Sequence, residues 1–155
     1  MSQNTKIYVL TAVIAVVIIG AAAYLYYLGV TRGSGPGSGN VSSNGGLIYD
    51  TGIDADGNRI SFSQGPMWLY VHGGSCADCH GYNGRGGVYP MMCGVVTPDV
   101  RYSTLTEHGM TRVDVERAIT EGVDEDGEAL DYCMPRWDLD GRDLSDLLSY
   151  LMELG

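Results

Sequence analysis

The chain has 155 residues, room for one ordinary domain, and a mean hydropathy of −0.02 that averages two unlike halves. From residue 47 onward seven arginines stand against all nineteen acidic residues, and the only lysine is Lys6. A domain this acidic repels a phosphate backbone, which excludes nucleic acid and favours a basic protein surface as partner.

Ile7 to Val30 is a run of 24 residues without a charge. As a helix it reaches about 36 Å at about 1.5 Å per residue, enough to cross a hydrocarbon core of about 30 Å. Tyr24, Tyr26 and Tyr27 sit near its exit, where aromatic rings favour the interface. Ala21-Ala22-Ala23 also allows a cleaved signal peptide, but the apolar run continues to Val30, longer than a usual signal core, and this favours an uncleaved anchor. The sequence therefore predicts a short cytoplasmic segment over 1–6, a transmembrane anchor over 7–30 and a folded domain over 47–155. Lys6 and Arg32 flank the span, so charge alone does not orient it. Residues 31–46, rich in Gly, Ser and Asn, predict a flexible linker with a reach on the order of 20 Å.

Leu47-Ile48-Tyr49 and Ile60-Ser61-Phe62 flank a loop around Asp56-Gly57 and predict a β-hairpin. Asp54 to Asn58 resembles a calcium loop only superficially, since Gly65 stands where a bidentate glutamate is needed; it is read as a turn, as is Asp124 to Gly127. A first helix is expected after Gly65-Pro66, carrying Met67, Trp68 and Val71 and stopped by Gly73-Gly74. A second opens on Thr111 with Asp114 three residues on, turns Val115, Ala118 and Ile119 to one face and stops at Gly122. The third is capped by Asp140, and Leu144, Leu147, Leu148, Leu151 and Leu154 recur at the helical period. So few helical faces make a thin core, and something else should fill the middle.

Cys76-Ala77-Asp78-Cys79-His80 is C-x-x-C-H, the pattern that attaches a c-type haem. Two thiols three residues apart suit the two vinyl groups of one porphyrin edge, and the next residue places an imidazole beneath the iron. A redox dithiol would want a βαβ setting, and zinc a second cysteine pair, which Cys93 and Cys133 at 40 residues apart do not make. Iron covered on one side needs a sixth ligand for electron transfer, and thioether sulfur raises the potential. Among seven methionines Met134 stands out, because Pro135 stiffens the chain after it and Trp137 can pack on the haem edge. His72 and His108 read as exposed, and Met91, Met92 and Met110 as pocket packing. Arg101 and Arg136 could neutralise propionates or simply face solvent.

These residues in this order resemble a class I, mitochondrial-type c-type cytochrome over residues 65 to 155. The likeness rests on the helix from Pro66 to Gly73, Cys76 to His80, the glycine-rich Gly81 to Gly87, Pro90, Met134-Pro135-Arg136-Trp137, and the last helix from Gly141 to Leu154. It implies an all-α haem domain, here with a short β-hairpin addition, holding one covalent haem c. It also implies that His80 and Met134 are the axial ligands and that the Pro90 carbonyl accepts the other imidazole N–H. Met91-Met92-Cys93 and Cys133 have no place in the minimal family pattern. Cys93 and Cys133 each abut a pocket segment and predict a disulfide, with a cuprous site including Met91 and Met92, or two free thiols, as alternatives.

The functional expectation is a membrane-tethered electron carrier rather than an enzyme. Because haem c is attached outside the cytoplasm, the N-terminus should lie inside and the haem domain on the extracytoplasmic side. Partners would be basic-faced redox proteins, such as a quinol-oxidising complex and a terminal oxidase or reductase. A fixed haem subunit of a membrane oxidoreductase, or a redox or ligand sensor, is the competing expectation.

Overall fold

The computed structural model describes residues 43–155 and, before them, only Val17, Ile19, Gly20 and Tyr24, all four helical and exposed. The expected cytoplasmic segment 1–6 and most of the expected anchor 7–30 and linker 31–46 lie outside the described residues. No helix among the described residues is long and apolar enough to cross a membrane.

In chain order the elements are helix α1 (Asn44–Thr51), strand β1 (Ser61–Ser63), helices α2 (Met67–His72), α3 (Cys76–His80), α4 (Tyr102–Glu107) and α5 (Arg112–Thr120), strand β2 (Arg136–Asp138) and helix α6 (Gly141–Glu153). Helix is thus the main regular structure among the described residues, joined by one antiparallel two-stranded ribbon in the register Ser61 to Asp138, Phe62 to Trp137 and Ser63 to Arg136.

The hairpin expected from Leu47-Ile48-Tyr49 and Ile60-Ser61-Phe62 does not form. Its first half is helix α1, and the second half pairs with β2, 70-odd residues away in sequence. The linker boundary moves as well: Ser43 caps α1 by accepting the Gly46 N–H at 3.1 Å, so residues assigned to the linker make the first helical turn. Two glycines in one turn cost roughly 1 kcal/mol each against alanine, so tertiary contact must select this helix. That contact is with α6: a Cβ on Gly45 would collide with the Asp146 carbonyl, and only bare backbone lets the two helices approach so closely. Asn44 bonds Asp143 at 2.9 Å and Asp146 at 2.8 Å, while Ile48 and Tyr49 are buried against Leu147, Leu148 and Tyr150.

The two acidic turns are closely alike. Gly52 to Ile60 and Gly122 to Leu130 both read G-[IV]-D-x-D-G-x-x-[IL], and both follow a helix. In each, the third-residue aspartate accepts a backbone N–H four residues on, Asn58 at 2.7 Å and Glu128 at 2.7 Å. In each, the ninth residue's N–H closes on the glycine carbonyl, at 2.9 Å for Ile60 and 2.8 Å for Leu130. The third-residue aspartates thus hold both segments as turns, the conformation the sequence predicts.

Helices α5 and α6 follow their sequence signals, whereas α3 and α4 form where the sequence predicts no helix. α5 carries a capping box in which Thr111 and Asp114 satisfy each other's backbone N–H, and it buries Val115 and Ile119. Asp140 caps α6, which buries Leu147, Leu148, Tyr150 and Leu151. In α2, by contrast, the buried residue is Leu69, while Met67 and Val71 face solvent.

Candidate functional site

The core is interrupted by a cavity of about 370 Å³ whose lining is almost wholly apolar. Leu69, Val100, Leu105, Val115, Ile119, Leu130, Trp137 and Leu151 are among its apolar lining, and Cys76, Cys79, His80 and Met134 all open onto it. An apolar void of this size in a small domain is a place for a large apolar ligand rather than for water, which needs several polar partners.

Helix α3 is the shortest device that could aim three side chains together, since residues i, i+3 and i+4 share a helical face. Ser75 starts it: its hydroxyl accepts the Asp78 N–H at 3.4 Å, and Asp78 Oδ2 accepts the Ser75 N–H at 2.8 Å. Asp78, inside the C-x-x-C-H run, thereby holds the helix start. At the other end the Tyr49 hydroxyl donates to the Gly81 carbonyl at 2.8 Å, and Thr97 Oγ1 to the Cys79 carbonyl at 2.7 Å.

His80 is buried, and its Nδ1 donates to the Pro98 carbonyl at 3.0 Å. A carbonyl can only accept, so the Nδ1 position carries the proton and Nε2 keeps its lone pair free to ligate. Burial pushes the imidazolium below its ordinary stability, with the Pro98 carbonyl opposing in part. The carbonyl is therefore that of Pro98, not of Pro90 as the family likeness implied. Thr97 and Val88 bond each other across the base of an excursion, Thr97 N to Val88 O at 3.0 Å and Val88 N to Thr97 Oγ1 at 3.1 Å. Pro90 is carried out on that excursion, where its carbonyl accepts the Cys93 N–H at 3.1 Å, although its ring still lines the cavity. Gly86 lets Pro98 in: any side chain there would strike the Thr97 and Pro98 carbonyls.

Cys76 and Cys79 are free and half-buried. Burial, reinforced by Cys79, pushes the Cys76 thiol up to about 12, and burial also raises Cys79. Without a bound group both are neutral thiols at ordinary pH.

Met134 reaches the cavity from the segment before β2. Its N–H donates to the Asp131 carbonyl at 3.0 Å, and the Cys133 N–H to Asp131 Oδ1 at 2.8 Å. Cys93 and Cys133 form a disulfide, with Cα atoms 5.9 Å apart, so the expected bridge is present and neither sulfur is left for a cuprous ion. Trp137 is buried on the cavity wall and meets Phe62 edge-on at 5.3 Å. His72 and His108 are exposed, as are Met91 and Met92, whereas Met110 lines the cavity. Arg101 is engaged by Asp99 at 2.6 Å, and Arg136 is buried behind the Met134 segment. The sequence reading missed Trp68, whose indole donates to the Met91 carbonyl at 3.0 Å and borders the cavity, and it missed Pro98 and the burial of Arg136.

The bridge gives a direct stability prediction. Closing a loop of about 41 residues restricts the unfolded chain by roughly 4 kcal/mol at most, so Cys133→Ser should lower the melting temperature clearly. Non-reducing peptide mapping of the untreated protein should recover one Cys93–Cys133 crosslinked peptide pair; two alkylatable cysteines at those positions would rule the bridge out.

Comparison with protein-family models, with curated proteins and with solved structures finds no match to this chain.

Proposed function

We propose that the domain is a class I c-type cytochrome that carries single electrons, tethered to a membrane by residues 7–30 and exposed on the extracytoplasmic side. The observation that supports this best is that the three side chains of C-x-x-C-H and the thioether of Met134 open on one apolar cavity, with His80 held as the tautomer that can ligate through Nε2. The donor set fits haem c: Cys76 and Cys79 would hold the macrocycle through thioethers, and His80 and Met134 would take the axial positions. When bound, that group supplies a one-electron ferrous–ferric couple. The chain's own contribution is a dry wall that favours the less charged ferrous form, a fixed imidazole and a braced sulfur.

Asp124, Glu125 and Asp131 border the cavity, a local concentration of the domain's acidic charge. Asp124 and Asp131 are occupied by backbone N–H groups, while Glu125 is exposed. A basic redox partner would be steered to this rim, and its association rate should fall roughly tenfold or more as rising salt screens the field. Glu125→Gln should reduce that salt dependence in stopped-flow measurements. A flat salt profile would instead favour a permanently bound haem subunit. The reading as a whole is tested by an optical reductive titration of the detergent-purified chain. A His/Met low-spin haem spectrum and a one-electron curve are expected; rapid carbon monoxide binding by the reduced protein would move the proposal to a ligand sensor.

A further inference from the structure

Arg136 is 7 % exposed, yet it makes no ion pair among the described residues. Its guanidinium is spent on backbone carbonyls instead. Nη2 donates to Gly122 at 3.1 Å and Leu130 at 3.0 Å; Nη1 donates to Asp131 at 3.2 Å and to the carbonyl of Met134 itself. Nε is buried without a partner. The four carbonyls belong to the two ends of the Gly122–Leu130 turn and to the segment that presents Met134, so one side chain ties the proposed ligand loop to the turn beside it. Arg136 stays off the cavity lining: its neighbour Trp137 reaches that wall, while Arg136 borders a separate polar depression with Ser61, Ser63 and Thr120. Gly122 leaves room for this, because a Cβ there would collide with the guanidinium.

A buried guanidinium without a carboxylate is a costly arrangement for stability alone, since carbonyl dipoles replace only part of its hydration. It is also a full positive charge fixed two residues from the sixth ligand, in surroundings that screen it poorly. We infer that Arg136 is a positioning residue with two effects on the site proposed above: its fork holds Met134 in place, and its charge disfavours oxidation of the iron and so raises the potential. This inference rests on the cytochrome reading.

The test compares Arg136→Gln and Arg136→Lys in the full-length holoprotein, with covalent haem confirmed first by gel stain. Gln keeps hydrogen-bonding groups but loses the charge, and it should shift the redox equilibrium toward the ferric form roughly tenfold, about 59 mV for one electron. Lys keeps the charge but loses the planar fork. It should leave the equilibrium within about threefold of the wild type, while carbon monoxide binding to the reduced form quickens at least tenfold as Met134 loosens. Equal shifts in both variants, or none in either, would overturn the charge effect, and a wild-type carbon monoxide rate in Arg136→Lys would overturn the positional one. If Arg136→Gln does not accumulate, Arg136→Lys decides alone: a retained potential with faster carbon monoxide binding supports the inference, and any other combination rejects it. Wild-type protein lacking covalent haem would refute the cytochrome reading itself, a result distinct from unchanged variants of a haem-loaded protein.

Discussion

Replacing Cys76 and Cys79 together by alanine is expected to abolish haem retention and the folded state with it. On a denaturing gel the wild-type chain should keep its haem stain and its mass should include one porphyrin; the double variant should show neither. The structural consequence follows from the cavity. Left unfilled, about 370 Å³ of apolar void costs on the order of 9 kcal/mol at about 24 cal/mol per Å³, a figure at the upper end because partial collapse and water entry reduce it. That is as large as the whole stability of a typical domain, roughly 5–15 kcal/mol. The variant should therefore lack a cooperative thermal transition and bind hydrophobic dyes, as loosely packed states do. Haem extractable from the wild type by acid acetone would defeat the covalent claim; a double variant that melts cooperatively near the wild-type temperature would show that the core does not depend on a bound group.

The thin core anticipated from the sequence is this same void. What was legible from sequence were features decided locally: the capping boxes and caps at Thr111, Asp114 and Asp140, the leucine period of α6, the turn chemistry of Asp54 and Asp124, and the C-x-x-C-H spacing. What was not legible depends on contacts distant in sequence. Asn44-Gly45-Gly46 reads as linker by composition and becomes helix only because α6 needs glycine at its crossing. Phe62 reads as half of a hairpin, but its partner is Trp137, and no short-range signal could name it. The repeated nonapeptides at 52–60 and 122–130 were the missed hint, because they place a strand after each helix–turn unit, and those are the strands that pair. In the site itself, the choice between Pro90 and Pro98 turned on the Val88–Thr97 excursion, whose closure by the Thr97 hydroxyl carries no motif.

The second large effect is expected at Met134. Met134→Ala should remove the weak red-region sulfur-to-iron band of the oxidised protein and lower the potential on the order of a few hundred millivolts, within the roughly 0.8 V range that axial ligation commands. Three other methionines compete for the role, and the geometry separates them. Met91 and Met92 are 74 % and 85 % exposed on the excursion and stand away from the cavity, so Met91→Ala and Met92→Ala should leave band and potential in place. Met110 does line the cavity and packs on the core, but it sits between α4 and α5, where its N–H donates to the Leu105 carbonyl at 3.1 Å, so Met110→Leu should cost packing without moving the band. Met134 is fixed from both sides. The Cys133 bridge to Cys93 precedes it, buried Pro135 and Arg136 follow it, and the Asp131 carbonyl accepts its N–H at 3.0 Å. A thioether is a weak ligand, so the rigidity of the segment around it decides whether sulfur stays on iron. Survival of the band in Met134→Ala and its loss in Met110→Leu would transfer the ligand role to Met110 and leave the braced segment as a wall of the pocket only.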